Sequence, residues 1–235
     1  MLFMWLSLQH PFRILTNAVE KIRINMLVGY NDDDEFWIKN AAVLRTSIPF
    51  HLHFSYQFQP LPTVVREGKV TTSMVNITNT LVQRAIEMGA DYVVRVNDDT
   101  EFLSSGWLSE CIDRLQGFDP PNVGVVGPVS HGDAKDILTH DMIHKTHMEI
   151  FKTYWPTFFV NWFGDTWMTQ TYKNTDKISI VQDWVVRHNT DVHGTRYKPF
   201  QPSMSTFQQL VTAGESAIKK YVSYQGEKFE PVFIE

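Results

Sequence analysis

The sequence predicts an α/β fold in which helices sandwich a mostly parallel central sheet, and three observations predict it. Two runs of alternating apolar residues lie at Ile22–Val28 and Phe50–Phe58; an apolar pattern at spacings of three and four runs from Thr71 to Met88; short buried runs at Asp91–Val96 and Asn122–Val129 flank a further helical pattern. Strands alternating with helices are the pattern of crossovers that lay strands side by side in parallel.

Taken in order, Ile22, Ile24, Met26 and Val28 alternate with Arg23, Asn25 and Leu27 and give the first strand, which ends in Gly29-Tyr30-Asn31. Asp32, Asp33, Asp34 and Glu35 then precede Phe36, Trp37, Ala41 and Leu44, placing acids where a helix N-terminus favours negative charge. Phe50, Leu52, Phe54, Tyr56 and Phe58 form a second strand before the breaker Pro60-Leu61-Pro62. Met74, Ile77, Leu81, Ala85 and Met88 mark a helix stopped by Gly89, which feeds the strand Asp91–Val96. A helix from about Trp107 to Leu115 and the strand Asn122–Val129 continue the alternation. Beyond Gly132 the pattern changes to a His-rich helical stretch (Thr139 to Tyr154), an aromatic loop (Trp155 to Trp162) and a short helix after Asp165. A strand from Ile178 to Val186 and a closing helix from Ser203 to Val222 complete the chain.

The 235 residues, 43% hydrophobic and 13% aromatic, suffice for one large core, so a single domain is expected over residues 21–235 behind an extension at 1–20. Residues 21–130 form its first half and 131–235 its second. A net charge of -5 and a pI near 6.0 remove the electrostatic case for nucleic acid. A phosphate-bearing small ligand would then need a bridging cation. The lone Cys111 rules out an internal disulfide framework and a cysteine-based zinc cluster, which fits a reducing setting, the cytoplasm of the cell or of a host. Met1 to Leu8 is apolar but far shorter than the roughly 20 residues of a membrane span, and reads as a packing element or an upstream junction.

In open α/β sheets ligands bind beyond the carboxyl ends of the strands, and Asn97-Asp98-Asp99-Thr100-Glu101 stands at such an end. Carboxylates there face water or hold an oxygen-seeking cation such as Mg²⁺ or Mn²⁺. The plain alternative is a solvated acidic turn ahead of the helix after Gly106.

With its strand YVVRVNDDTEF and preceding helix NITNTLVQRAIEMGA, the chain resembles the GT-A nucleotide-diphosphosugar glycosyltransferases of the DxD type, similar to their GT2-like members. The resemblance implies a three-layer α/β/α sandwich, with a nucleotide-sugar-binding first half and an acceptor-binding second half. It implies a metal-dependent transfer of a sugar from a nucleotide diphosphate, UDP foremost, to a hydroxyl of a glycan or glycoprotein. By that resemblance Asp99 holds Mn²⁺ or Mg²⁺, while Asn97, which departs from the family's first acid, contacts ribose; Asp98 or Glu101 then supplies the missing charge. Gly29, Tyr30, Asn31 and Asp32 match the loop that cups the base, although Asn31 and Asp32 can equally cap a helix. Asn79 matches a helix position that approaches the nucleotide.

The same resemblance makes Asp165, which opens a helix after an aromatic stretch, the general base of an inverting transfer; an N-cap is its plain alternative. Trp162 and Trp167 offer faces for sugar stacking. A late histidine completes the family's metal shell, and His193 in Asp191-Val192-His193-Gly194 is the first candidate, with His188 as substitute. His140, His144 and His147, spaced by four and three, would share a helical face; without an HExxH pattern or an accompanying carboxylate, an ordinary helix face is expected over zinc. Two other readings compete: a non-catalytic carbohydrate- or cation-binding module, and a sugar-nucleotide pyrophosphorylase, disfavoured by the acidic loop after the first strand.

Overall fold

The computed structural model describes residues 2–8, 22–31, 35, 38–40, 42–43, 54–61, 64–66, 69–71, 73–97, 99–134, 136–189, 201–224 and 230–231. Ten strands run in order β1 (Leu2–Leu8), β2 (Ile22–Asn31), β3 (Phe54–Leu61), β4 (Val64–Arg66), β5 (Lys69–Thr71), β6 (Tyr92–Val96), β7 (Thr100–Phe102), β8 (Val125–His131), β9 (Asp141–His144) and β10 (Ile178–His188). The helices are α1 (Met74–Glu87), α2 (Trp107–Gln116), α3 (Thr146–Phe151), α4 (Gly164–Lys173) and α5 (Met204–Tyr224). Residues 35, 38–40 and 42–43 are also helical, where the acidic cluster led to a helix being expected.

Eight strands form one sheet in the order β3-β2-β1-β6-β9-β8-β10-β7, and β4 and β5 form a separate hairpin. The expected mostly parallel sheet is not what the chain builds. Only β2–β3 and β8–β10 pair in parallel, whereas β1–β2, β1–β6, β6–β9, β8–β9 and β7–β10 are antiparallel. The reason lies in β1 and β9. Each runs against its neighbours and separates strands that share a direction, so β2, β3, β6, β8 and β10 still point the same way without pairing directly. Strand periodicity reports which face is buried and carries no information on direction.

Leu2–Leu8 is therefore a strand hydrogen-bonded on both sides, to β2 and to β6. The strand β3 includes Pro60, expected to end it; among the described strands β3 is the last on its side of the sheet, where a missing N–H is tolerated. The stretch Thr139 to Tyr154 is not one helix. Asp141–His144 pairs with β6 and β8, and only Thr146–Phe151 is helical.

Neighbouring residues on the central strands alternate between two cores, which places helices on both sides of the sheet. Val93, Val125 and Ile143 belong to a core shared with α1, α3, α4 and α5, represented by Leu81, Ile150, Trp167 and Val211. Tyr92, Val94, Val126 and Met142 belong to the other, closed by Trp107, Cys111 and Leu115 of α2 and by Trp184. There Trp107 stacks on Trp184 with ring centroids 4.7 Å apart. None of the helices among the described residues is long and apolar enough to cross a membrane.

Candidate metal centre at the carboxyl edge of the sheet

Because β6, β8 and β10 share a direction, their carboxyl ends gather at one edge, and the reversed β7 and β9 begin there. This brings together the turn after β6, the loop after β8, the residue before β9 and the last residue of β10. The turn is closed by Thr100 N donating to Asn97 O at 3.3 Å, and Asn189 clasps it from β10, its backbone N donating to Asp99 O at 3.0 Å. The β7–β10 register sets His188 opposite Thr100. On the other side of β10, Gly132 adopts φ +98 and packs so closely that a Cβ there would lie 2.4 Å from His188 O. Only glycine meets both conditions without strain.

His188 stands between two carboxylates. Its Nδ1 donates to Asp133 Oδ1 at 2.5 Å, while its Nε2 lies 3.0 Å from Asp99 Oδ1 and 3.1 Å from Asn97 Nδ2. Asp99 Oδ1 is buried yet accepts no hydrogen bond of good geometry, despite its closeness to the ring. Ser130 Oγ and Thr139 Oγ1 both donate to Asp133 Oδ2. His140, fully buried, places Nε2 2.6 Å from Thr100 Oγ1 and Nδ1 3.5 Å from Asp133 Oδ2. Asp133, His140 and His188 each offer one ligand atom, all within 4.8 Å of one another, the kind of grouping that can hold a metal ion.

The electrostatics follow from these contacts. Burial alone would raise the Asp133 carboxyl, but bonds from His140, His188, Ser130 and Thr139 hold it well below the usual carboxylate range. The hydrogen bond to Asp133 raises the His188 imidazole, against burial, with the Asp133 and Asp99 charges adding to the rise. His140 is lowered, chiefly by burial.

The other candidates lie as follows. Asp32, Asp98 and His193 fall outside the described residues. Gly29, Tyr30 and Asn31 end β2, one of the strands that point toward this edge. Glu101, in β7, pairs with Arg187 at 2.8 Å on the surface, directed away from the buried cluster. Asn79 lines a pocket with Gln83, Arg84, Lys152 and Thr153, but its amide is engaged: its Oδ1 accepts from Trp155 N at 2.8 Å and its Nδ2 donates to Trp155 O at 2.9 Å. The first amides of α1 are similarly occupied, by Asn161 Oδ1 on Met74 N, Val160 O on Val75 N and the Ser73 hydroxyl on Asn76 N.

Asp165 lies in the first turn of α4 and accepts from Thr166 N at 2.7 Å, but it is not the N-cap, which is Phe163 and carries no side-chain cap bond. Burial raises its carboxyl above the ordinary value, while the Arg95 guanidinium and the Thr166 N–H and O–H pull it back. Arg95 is itself buried, over the Trp155 ring at 4.7 Å and paired with Asp141. Of the two tryptophans, Trp167 is 1% exposed and donates Nε1 to Leu210 O at 3.0 Å, which removes it as a sugar platform. Trp162 is 46% exposed.

The three histidines expected on a helix face separate: His140 joins the cluster, His144 lies on β9, and His147 is buried between Tyr172 Oη at 2.8 Å and Tyr154 O at 3.0 Å. Asp133 escaped the sequence reading altogether. It sits in no motif, and only the folded sheet brings it to His188, 55 residues away in the chain. In comparisons with known proteins, no family model, curated protein or solved structure matches this chain.

Proposed function

We propose that this chain is a metal-dependent glycosyltransferase of the GT-A type, moving a sugar from a nucleotide diphosphate, UDP foremost, to a hydroxyl of a glycan acceptor. The observation that carries the reading is the pairing of Asp99 Oδ1 with His188 Nε2 at 3.0 Å, beyond the carboxyl ends of the strands that supply them. A buried carboxylate oxygen without a donor, beside an imidazole nitrogen, fits a cation. The mixed oxygen and nitrogen set suits Mn²⁺ better than Mg²⁺, which prefers oxygen. His188 thus takes the role first considered for His193.

Asp99 and His188 would hold the ion, and when bound it supplies positive charge to the departing diphosphate. Asn97, its amide beside the ring, is placed to meet a ribose hydroxyl at the same edge. Asp165 is the proposed base: it takes the proton of the acceptor hydroxyl as that oxygen bonds to the anomeric carbon and the bond to the diphosphate oxygen breaks on the opposite face. The outcome is inversion. A carboxyl raised by burial is better matched to that task near neutrality than an ordinary one. The exposed face of Trp162, three residues before Asp165, offers the acceptor a surface to stack on.

Calorimetry of UDP, GDP, TDP and CMP, with and without Mn²⁺, on the wild type and Asp99→Ala tests the reading. Metal-dependent binding of one nucleotide, lost in Asp99→Ala, is the expected result and selects the donor sugars to try. Binding of none, with Mn²⁺ present, overturns it and leaves the carbohydrate- or cation-binding module.

A further inference from the structure

We infer that Asp133 is the positioning residue of this metal centre, holding His188 with its Nδ1 proton engaged and its Nε2 lone pair turned toward Asp99. The inference rests on the metal-dependent reading above and adds a residue that contacts neither substrate nor ion. A neutral imidazole carries one proton, so the nitrogen that donates fixes the other as an acceptor. His188 Nδ1 lies 2.5 Å from Asp133 Oδ1, an oxygen that can only accept. From the other side, Asn97 Nδ2 lies 3.1 Å from His188 Nε2 and has only protons to give. Both neighbours demand the same tautomer.

Once an ion displaces the Asn97 amide from it, the lone pair of Nε2 and the unpartnered Asp99 Oδ1, 3.0 Å away, present two ligand atoms to one place. Adjacent ligands of an octahedral ion bound at about 2.1 Å are separated by roughly that distance. Asp133 stands behind them. Its Oδ2 is engaged by Ser130 and Thr139, and it reaches His140, whose Nε2 is 2.6 Å from the hydroxyl of Thr100, the residue after Asp99. One buried carboxylate, its side chain 5% exposed, therefore steadies both segments that supply ligands. Imidazole ligands commonly donate their second nitrogen to such a carboxylate, and its loss weakens metal binding about 10–100-fold.

The competing arrangement puts the ion among Asp133, His140 and His188 themselves. Binding there through His188 Nδ1, the nitrogen 2.5 Å from Asp133, would reverse the tautomer. Two measurements on the full chain separate them. Long-range ¹⁵N–¹H spectra of the metal-free wild type, with the ring neutral and assigned by His188→Gln, are expected to show His188 protonated at Nδ1. Mn²⁺ titrations followed by electron paramagnetic resonance are expected to show binding about 10–100-fold weaker in Asp133→Asn, and lost in Asp99→Ala and His188→Ala. His140→Gln should cost less than either loss.

A wild-type ring protonated at Nε2 overturns the inference, and this readout stands even if Asp133→Asn does not fold. Unchanged affinity in Asp133→Asn overturns it too, as does abolition of binding by His140→Gln with Asp99→Ala unaffected, which moves the ion to the triad. A wild type that binds no Mn²⁺ overturns the metal-dependent reading itself and the inference with it.

Discussion

Arg95 and Asp141 face each other across β6 and β9, Nη2 to Oδ2 at 2.8 Å, with side chains 3% and 0% exposed. Arg95 Nε donates to the same oxygen at 3.0 Å, the Tyr154 hydroxyl donates to Asp141 Oδ1, and Arg95 Nη2 also donates to Leu138 O at 3.1 Å. A pair this buried is expensive to break from one side, since the remaining charge stays out of water. Asp141→Ala is expected to destabilise the fold by about 3–5 kcal/mol in urea unfolding. The combined change Arg95→Met with Asp141→Leu should recover a large part of that loss. An Asp141→Ala variant as stable as wild type would show that Arg95 finds another anion.

Asn79 separates a structural role from a nucleotide contact. Its amide joins α1 to the backbone of Trp155 in both directions, so Asn79→Ala leaves two backbone groups without partners, a cost of roughly 1–3 kcal/mol. Stability should fall while the affinity of the metal-nucleotide complex, measured by calorimetry, stays within about twofold. A large loss of affinity with little loss of stability would return Asn79 to the binding site.

The buried His147 gives the fold an acid-sensitive element. Burial depresses its imidazole to about 4, and the ring is fixed neutral, with Nε2 donating to Tyr154 O and Nδ1 accepting from the Tyr172 hydroxyl. The unfolded chain takes up this proton near pH 6.5 and the folded chain only near pH 4, so the unfolded state binds more protons in between. Stability is therefore whole above about pH 6.5 and is lost as the pH falls toward 4, by roughly 3 kcal/mol from this group. Comparing denaturant unfolding of wild type and His147→Gln across that window isolates it from the carboxylates. Parallel curves would contradict the assignment.

Gly132 and Gly89 both hold positive φ, +98 and +88, yet only Gly132 meets another residue, the backbone of His188, while nothing lies within 4 Å of a Cβ at Gly89. Either glycine changed to alanine should lose stability on the order of 1–3 kcal/mol from backbone strain. Only Gly132→Ala should also weaken Mn²⁺, by about tenfold or more, because the carbonyl of His188 must move. Equal Mn²⁺ affinities in the two variants would detach Gly132 from the centre.

Much of the fold could be read from apolar periodicity where one face of an element is buried. The helix expected from Thr71 to Met88 is α1 at Met74–Glu87, and the closing helix from Ser203 to Val222 is α5 at Met204–Tyr224. The strand Ile178–Val186 is β10, two residues longer, and those two extra residues include His188. Periodicity failed at Asp141–His144, where His140, His144 and His147 at helical spacing mimic a helix, and whose pairing comes from β8 and from β6, the latter some forty-five residues earlier. Asp99 was legible because a strand end is a local feature. Asp133 was not, because its donors Ser130, Thr139 and His188 converge only through tertiary pairing.

At the margin of the sheet, β7 has a single neighbouring strand among those described, β10, which joins it to residues 86 positions later, Glu101 against Arg187. Contacts that close so long a stretch of chain are slow to gain, since the entropy of closure falls due before the contacts return anything. The Asp99 turn can close locally, Thr100 N to Asn97 O, but its partner His188 arrives only when β10 docks between β8 and β7. Capture of the proposed ion would thus belong to the end of folding: a chain emerging from the ribosome carries an Asp99 without His188 until more than eighty further residues have been made.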